Sequence, residues 1–153
     1  MRIIVRKPPR IPLLTALISG SAIAYNLFLP SIPDIGVAFG VPIFTVQTTL
    51  IAFLVAYALA QFLYGSVSDR FGRRPTLLWG LAIYIVASLA CAFAPSMTML
   101  LLARILQGIG AAGSIVMVRA IVRDLYTMDE GARAQSFINL AFLVTPLLAP
   151  NIG

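Results

Sequence analysis

Gly65-Ser66-Val67-Ser68-Asp69-Arg70-Phe71-Gly72-Arg73-Arg74-Pro75 breaks an otherwise apolar stretch, and its reading decides the fold. Before it the chain is apolar over about Val46–Val67, and after it over about Thr76–Ala94. Each run approaches the roughly 20 residues a helix needs to cross a hydrocarbon core of about 30 Å. The connection between them is therefore a tight turn at a membrane edge. Gly65 and Gly72 allow close backbone approach or positive φ. Pro75 suits the first turn of the next helix. Asp69 beside Arg70, Arg73 and Arg74 offers charge-assisted pairing. Such a turn serves topology alone or a working role, and its residues by themselves do not separate the two.

Working outward, further apolar runs occupy about residues 12–32, 97–121 and 134–153, behind a basic tail of residues 1–11. Pro30, Pro33, Gly36, Gly40 and Pro42 punctuate the first link, and Pro95 with Ser96 the third. The composition agrees: 60% hydrophobic, 10% charged, with a mean hydropathy of +0.98. Soluble domains carry about 25% charged residues. The sequence therefore predicts an all-α integral membrane protein with four to five transmembrane helices. A cleavable signal peptide is the rival for the first run, with Ala22-Ile23-Ala24 imitating a cleavage site. Apolar Leu27, Phe28 and Leu29 continue past that point, and the second run needs a preceding segment to carry the chain across.

Basic residues orient the spans. Arg2, Arg6, Lys7 and Arg10 precede the first, Arg70, Arg73 and Arg74 follow the second, and Arg119, Arg123 and Arg133 surround the link after the fourth. The remaining links, Asp34–Thr45 and Pro95–Ser96, hold none. Ten of the eleven thus fall on one side, which the positive-inside rule makes the cytoplasm, with the N-terminus inside. The basic excess of +6 is split into short clusters between spans rather than gathered in a patch, which argues against nucleic acid. The chain has no histidine and one cysteine, Cys91, so histidine catalysis, histidine-ligated metal and an intrachain disulfide are excluded. It also carries no Walker-type phosphate loop, serine elbow or CxxC, which argues against a primary pump and an enzyme.

The spacing of Gly65, Asp69, Arg70, Gly72, Arg73 and Arg74 resembles the loop signature of the major facilitator superfamily. Arg104-Ile-Leu-Gln107-Gly108-Ile-Gly110 is similar to the family's R-x-x-Q-G-x-G motif, and Arg123-Asp124-Leu-Tyr126 follows it. Leu29-Pro30-Ser-Ile-Pro33, and Pro146-Leu-Leu-Ala149-Pro150-Asn-Ile-Gly153 with its antiporter-like pattern, resemble the Bcr/CflA-type drug-resistance subgroup. The resemblance covers about residues 12–153. It implies the N-terminal portion of a twelve-helix fold built of inverted repeats, whose C-terminal half would be the missing partner. A chain stopping inside its last apolar run reads as a piece or a truncated reading frame of such a carrier. Three positions depart from the family pattern. Asn26 stands where an acid is usual, Ala149 replaces a customary Gly with polar Asn151 after it, and the motif's final Gly would fall beyond Gly153.

The resemblance implies secondary active transport, with proton-coupled efflux of drugs or other small hydrophobic or cationic compounds by alternating access. The energy source would be the proton gradient, with no cofactor and no metal. The partners would be a small-molecule substrate and the lipid bilayer. Alternatives are an importer of sugars or organic anions in the same superfamily, and an inactive fragment. Asn26, Tyr57, Gln61, Arg104 and Gln107 are the candidate cavity residues. Arg104 lies roughly 10 Å into the fourth span at 1.5 Å per residue, where a guanidinium faces protein or water, or else snorkels outward. Asn26 falls at nearly the same depth, as a site residue or as a packing amide. Gly65, Asp69, Arg70, Gly72, Arg73, Arg74 and Asp124 form the expected gating loop, and Pro146, Pro150 and Gly153 the antiporter motif. The small residues Gly108, Gly110, Ala111, Ala112, Gly113 and Ser114 predict close helix packing. Phe28, Phe53, Phe62 and Trp79 are aromatic positions for a drug, for lipid or for core contact. Every acid (Asp34, Asp69, Asp124, Asp129 and Glu130) lies at a span end or in a loop, so the coupling acid is expected beyond residue 153 or at Asp34.

Overall fold

Small side chains on one helix determine how the others assemble around it. The computed structural model describes residues 28–125, which hold four helices: α1 (Phe28–Phe39), α2 (Ile43–Phe71), α3 (Arg73–Ala92) and α4 (Met97–Leu125). The last three are long and apolar enough to cross a membrane, and no strand occurs among the described residues. The basic tail, the start of the first span, Asn26 and the fifth span lie outside them.

The helices end later than hydropathy alone suggests. The first link was expected over Asp34–Thr45, yet α1 runs on to Phe39 and only residues 40–42 turn. Pro33 removes a ladder hydrogen bond without ending the helix, a loss that membrane helices tolerate. The stop is at Gly40, whose φ is 62°. Its N–H donates to Val37 at 3.2 Å, and that of Val41 donates to Gly36 at 3.0 Å. That pair of bonds is a Schellman motif. Similarly α2 and α4 extend beyond Val67 and Ile121 through polar residues. At 29 residues, α2 is about 44 Å long, enough to cross the headgroup layers as well. Ser96 caps α4, its Oγ accepting from the Met99 N–H at 3.3 Å.

A single residue joins α2 to α3. Gly72 has φ 92° and ψ 159°, a region that essentially only glycine occupies and that costs any other residue about 1–3 kcal/mol. Despite this short tether α2 and α3 barely touch each other. Each packs along α4, whose apolar window is 61% buried against 22% for α2 and 17% for α3. A Cβ on Gly108 would stand 2.5 Å from the Phe53 carbonyl oxygen of α2. One on Gly110 would stand 2.7 Å from the Tyr84 Cα of α3. One on Gly113 would meet the Tyr64 ring at 2.7 Å. The absent side chains thus let α4 fit between two neighbours, whose outward faces leave Phe62, Leu63, Trp79 and Val86 exposed.

Candidate functional site

Hydroxyls in an apolar helix usually bond to their own backbone. Those of Thr48, Thr49 and Thr76 do so here, to Phe44, Val46 and Gly72. Against that background a polar cluster crossing from α4 to α3 stands out. Arg104 is 6% exposed and Gln107 4%. Arg104 Nη1 donates to Gln107 Oε1 at 2.8 Å, and Gln107 Nε2 donates to Ser88 Oγ at 2.9 Å. Ser88 Oγ in turn donates to the Tyr84 carbonyl at 2.7 Å. The Cys91 thiol lies 4.0 Å from Gln107 Oε1. The Arg104 guanidinium carbon stands 3.5 Å from the centroid of the Phe28 ring, a cation–π contact that strengthens when water is excluded.

Among the described residues no carboxylate reaches Arg104. Asp34, Asp69 and Asp124 are all exposed, and Arg104 Nε is buried without a hydrogen-bond partner among the described residues. Among the described residues that positive charge is held inside the bundle by one amide and one ring. Of the expected cavity residues the structure joins Arg104 to Gln107 only. Tyr57 stacks on Phe53, with ring centroids 6.1 Å apart, and with Gln61 it belongs to α2, whereas Gln107 turns to α3. Asn26, Pro146, Pro150 and Gly153 lie outside the described residues. The sequence reading missed Ser88 and Tyr84 and gave Cys91 no place in the site. Nothing in the sequence marks the α3 face that meets Gln107, although Ser88 is the one serine in that span.

A second cluster closes the opposite end of the bundle. Arg73 Nη1 pairs with Asp69 Oδ1 at 3.2 Å, and its Nε donates to Asp124 Oδ2 at 3.3 Å. Its Nη1 also donates to Ser68 Oγ, which donates to the Gly65 carbonyl. One half-buried guanidinium therefore ties the ends of α2, α3 and α4 together. Arg123 Nε sits 3.8 Å from Asp124. Arg70 and Arg74 are exposed, and neither makes an ion pair among the described residues. Gly65 differs from the sequence expectation. Its φ is not positive, and a Cβ there would find no atom within 4 Å, so it mediates no close approach among the described residues. Instead it lines a cavity of about 400 Å³ with Asp69, Arg73, Arg119 and Arg123.

The sequence profile of the Major Facilitator Superfamily matches residues 14–153. Multidrug resistance protein D of Escherichia coli K12 is 38% identical over 92% of the chain. A chloramphenicol resistance protein of Pseudomonas aeruginosa is 35% identical over 87% of it. A bicyclomycin resistance protein homolog of Haemophilus influenzae is 33% identical over 84%. These matches take up 36%, 32% and 32% of the respective relatives, so the chain spans about a third of their length.

Proposed function

Because the chain belongs to the Major Facilitator Superfamily, we propose that it is the N-terminal part of a secondary transporter that exports small hydrophobic or cationic drugs in exchange for protons. The observation that carries this reading is the set of relatives named for resistance to multiple drugs, chloramphenicol and bicyclomycin. Transport would proceed by alternating access, this bundle rocking against a second one around a midplane cavity. Arg104 and Gln107, with Tyr57, Gln61 and Asn26, contribute to its wall. No described carboxylate is buried near Arg104, so in this reading the coupling acid lies beyond residue 153, or else Asp34 serves from the outer rim, and Arg104 favours its ionised form. A second reading, import of organic anions, draws support from the same uncompensated guanidinium.

A chimera separates the two readings. Residues 1–153 joined to the remainder of the E. coli multidrug resistance protein D are expected to lower ethidium and chloramphenicol accumulation in an efflux-deficient host. Uptake of organic anions without drug efflux would overturn the proposal.

The cluster of Asp69, Arg73 and Asp124 is the proposed gate at the cytoplasmic end. Pairs this exposed are worth about 0–1 kcal/mol each, yet a carrier poised between two states needs only a few kcal/mol of bias. Asp69→Ala in the chimera is therefore expected to slow efflux several-fold at unchanged expression. Wild-type efflux by that variant would confine the loop to topology.

We place the protein in the inner membrane with its N-terminus cytoplasmic, from the distribution of basic residues. In a Cys91→Ser background, Ser66→Cys and Pro42→Cys are expected to react with an impermeant maleimide from opposite faces. Labelling of both from one face would overturn this orientation.

A further inference from the structure

Outside both polar clusters lies a crevice of about 570 Å³ between α2 and α3, within the range of small-molecule sites. Its walls include Leu63, Val67 and Phe71 of α2 and Pro75 and Trp79 of α3, with Ile109 of α4 between them. Leu63, Phe71 and Trp79 are 68%, 65% and 70% exposed, so among the described residues the crevice opens sideways on the outer faces of the two helices. The Thr76 hydroxyl in its wall already donates to the Gly72 carbonyl and is not free for a ligand. Apart from the Tyr64 hydroxyl the rest of the wall is apolar, so the crevice fits a ligand that is apolar along most of its length.

The end of the crevice nearest the α2–α3 turn has a different chemistry. The Arg70 guanidinium lies 5.7 Å from the centroid of the Phe71 ring, in the crevice wall, and Arg74 directly precedes Pro75. Arg73 between them is satisfied by two carboxylates, whereas Arg70 and Arg74 are exposed and form no ion pair among the described residues. The apolar slot thus ends near Arg70, with Arg74 next to its Pro75 wall along the turn, and neither cation is paired among the described residues. That combination fits an amphiphile with a long chain and an anionic head. Guanidinium pairs readily with phosphate oxygens, and basic residues at a membrane edge attract anionic lipid.

We propose that the α2–α3 crevice binds an anionic phospholipid, with one acyl chain along Leu63, Val67 and Trp79 and the headgroup phosphate paired with Arg70 and Arg74. The site rests on the membrane character of the helices and is independent of what the transporter carries.

Trp79 is the chain's single tryptophan and stands in the crevice wall, so its emission reports on the occupant. The 153-residue chain would be placed in nanodiscs containing phosphatidylglycerol or phosphatidylcholine with brominated acyl chains. At equal mole fraction the brominated phosphatidylglycerol is expected to quench Trp79 about twofold more strongly. Arg70→Gln/Arg74→Gln is expected to erase that difference while the helical circular dichroism persists. Equal quenching by both lipids in the unaltered chain would mean ordinary bilayer contact, and no quenching by either would mean that protein covers the crevice. A preference surviving in the double variant would remove the arginines from the site. Any of these results overturns the proposal. Photocrosslinking of a diazirine-bearing phosphatidylglycerol to the Trp79 peptide in cell membranes tests the same pair without purification. It is expected to fall with the double variant, and unchanged labelling would overturn the assignment.

Discussion

Gly110→Val is expected to destroy most of the folded protein. A Cβ at this position would meet the Tyr84 Cα at 2.7 Å and the Gly80 carbonyl oxygen at 2.9 Å. Both are backbone atoms, so no side-chain rotation relieves the clash, and α3 must move away from α4 along its length. Overpacking of a tight core costs about 1–3 kcal/mol, and an immobile partner places this case at the upper end. Folded yield in detergent should collapse and the thermal midpoint of the remainder should fall. The control is Gly65→Ala, where a Cβ has open space within 4 Å. Exchanging an interior helical glycine for alanine gains up to about 1 kcal/mol in helix propensity. An unchanged midpoint for Gly110→Val would mean that α3 and α4 are not in backbone contact.

The second large effect concerns the buried cation. Gln107→Leu removes the acceptor 2.8 Å from Arg104 Nη1 and the donor to Ser88 together. The guanidinium then keeps only the Phe28 ring among its described contacts. Losing a hydrogen bond to a charged group costs about 1.5–3 kcal/mol, or roughly 10- to 150-fold in the folding equilibrium. Arg104→Leu/Gln107→Leu removes both partners, and such replacements approach neutrality in stability. The double variant should therefore regain the thermal stability that the single one loses. In the chimera it should stay inactive, because the proposed transport needs the charge. Arg104→Lys separates charge from shape, since an ammonium keeps the former without the planar fork. If the double variant is no more stable than Gln107→Leu, the two side chains are not coupled.

Much of the architecture was legible because it depends on length and polarity. Apolar runs of bilayer length, and arginines gathered at alternate ends, locate α2, α3 and α4 without reference to packing. The glycines at 108, 110 and 113 were equally legible, since few roles other than close approach explain so many in one span. Pro33 misled: the residue that looks most like a helix breaker does not end α1, and the turn depends on Gly40, whose two capping bonds arise only once the chain has folded. The polar cluster was legible by half. Arg104 and Gln107 sit three apart on one helix, so their meeting follows from helical geometry. Ser88, Tyr84 and Cys91 reach them from α3, and which face α3 turns inward depends on how Gly80 and Gly110 dock. Tyr57 and Gln61 show the converse limit. They share a helical face, but α2 approaches α4 on a different side from α3.

The one-residue tether at Gly72 has a consequence for how the protein is made. Two membrane helices joined so tightly leave the ribosome as a pair, yet each shares far less surface with the other than with α4. The backbones of Phe53 and Tyr57 on one helix, and of Gly80 and Tyr84 on the other, are shaped to fit glycines that have not yet been synthesised. Until α4 emerges, both faces are left to lipid, which packs against them less closely than a glycine stripe does. The nascent chain thus passes through a stage in which the faces of α2 and α3 that fit α4 stay uncovered until it emerges. Chains halted before about Gly113 would remain at that stage and be exposed to membrane quality-control proteases.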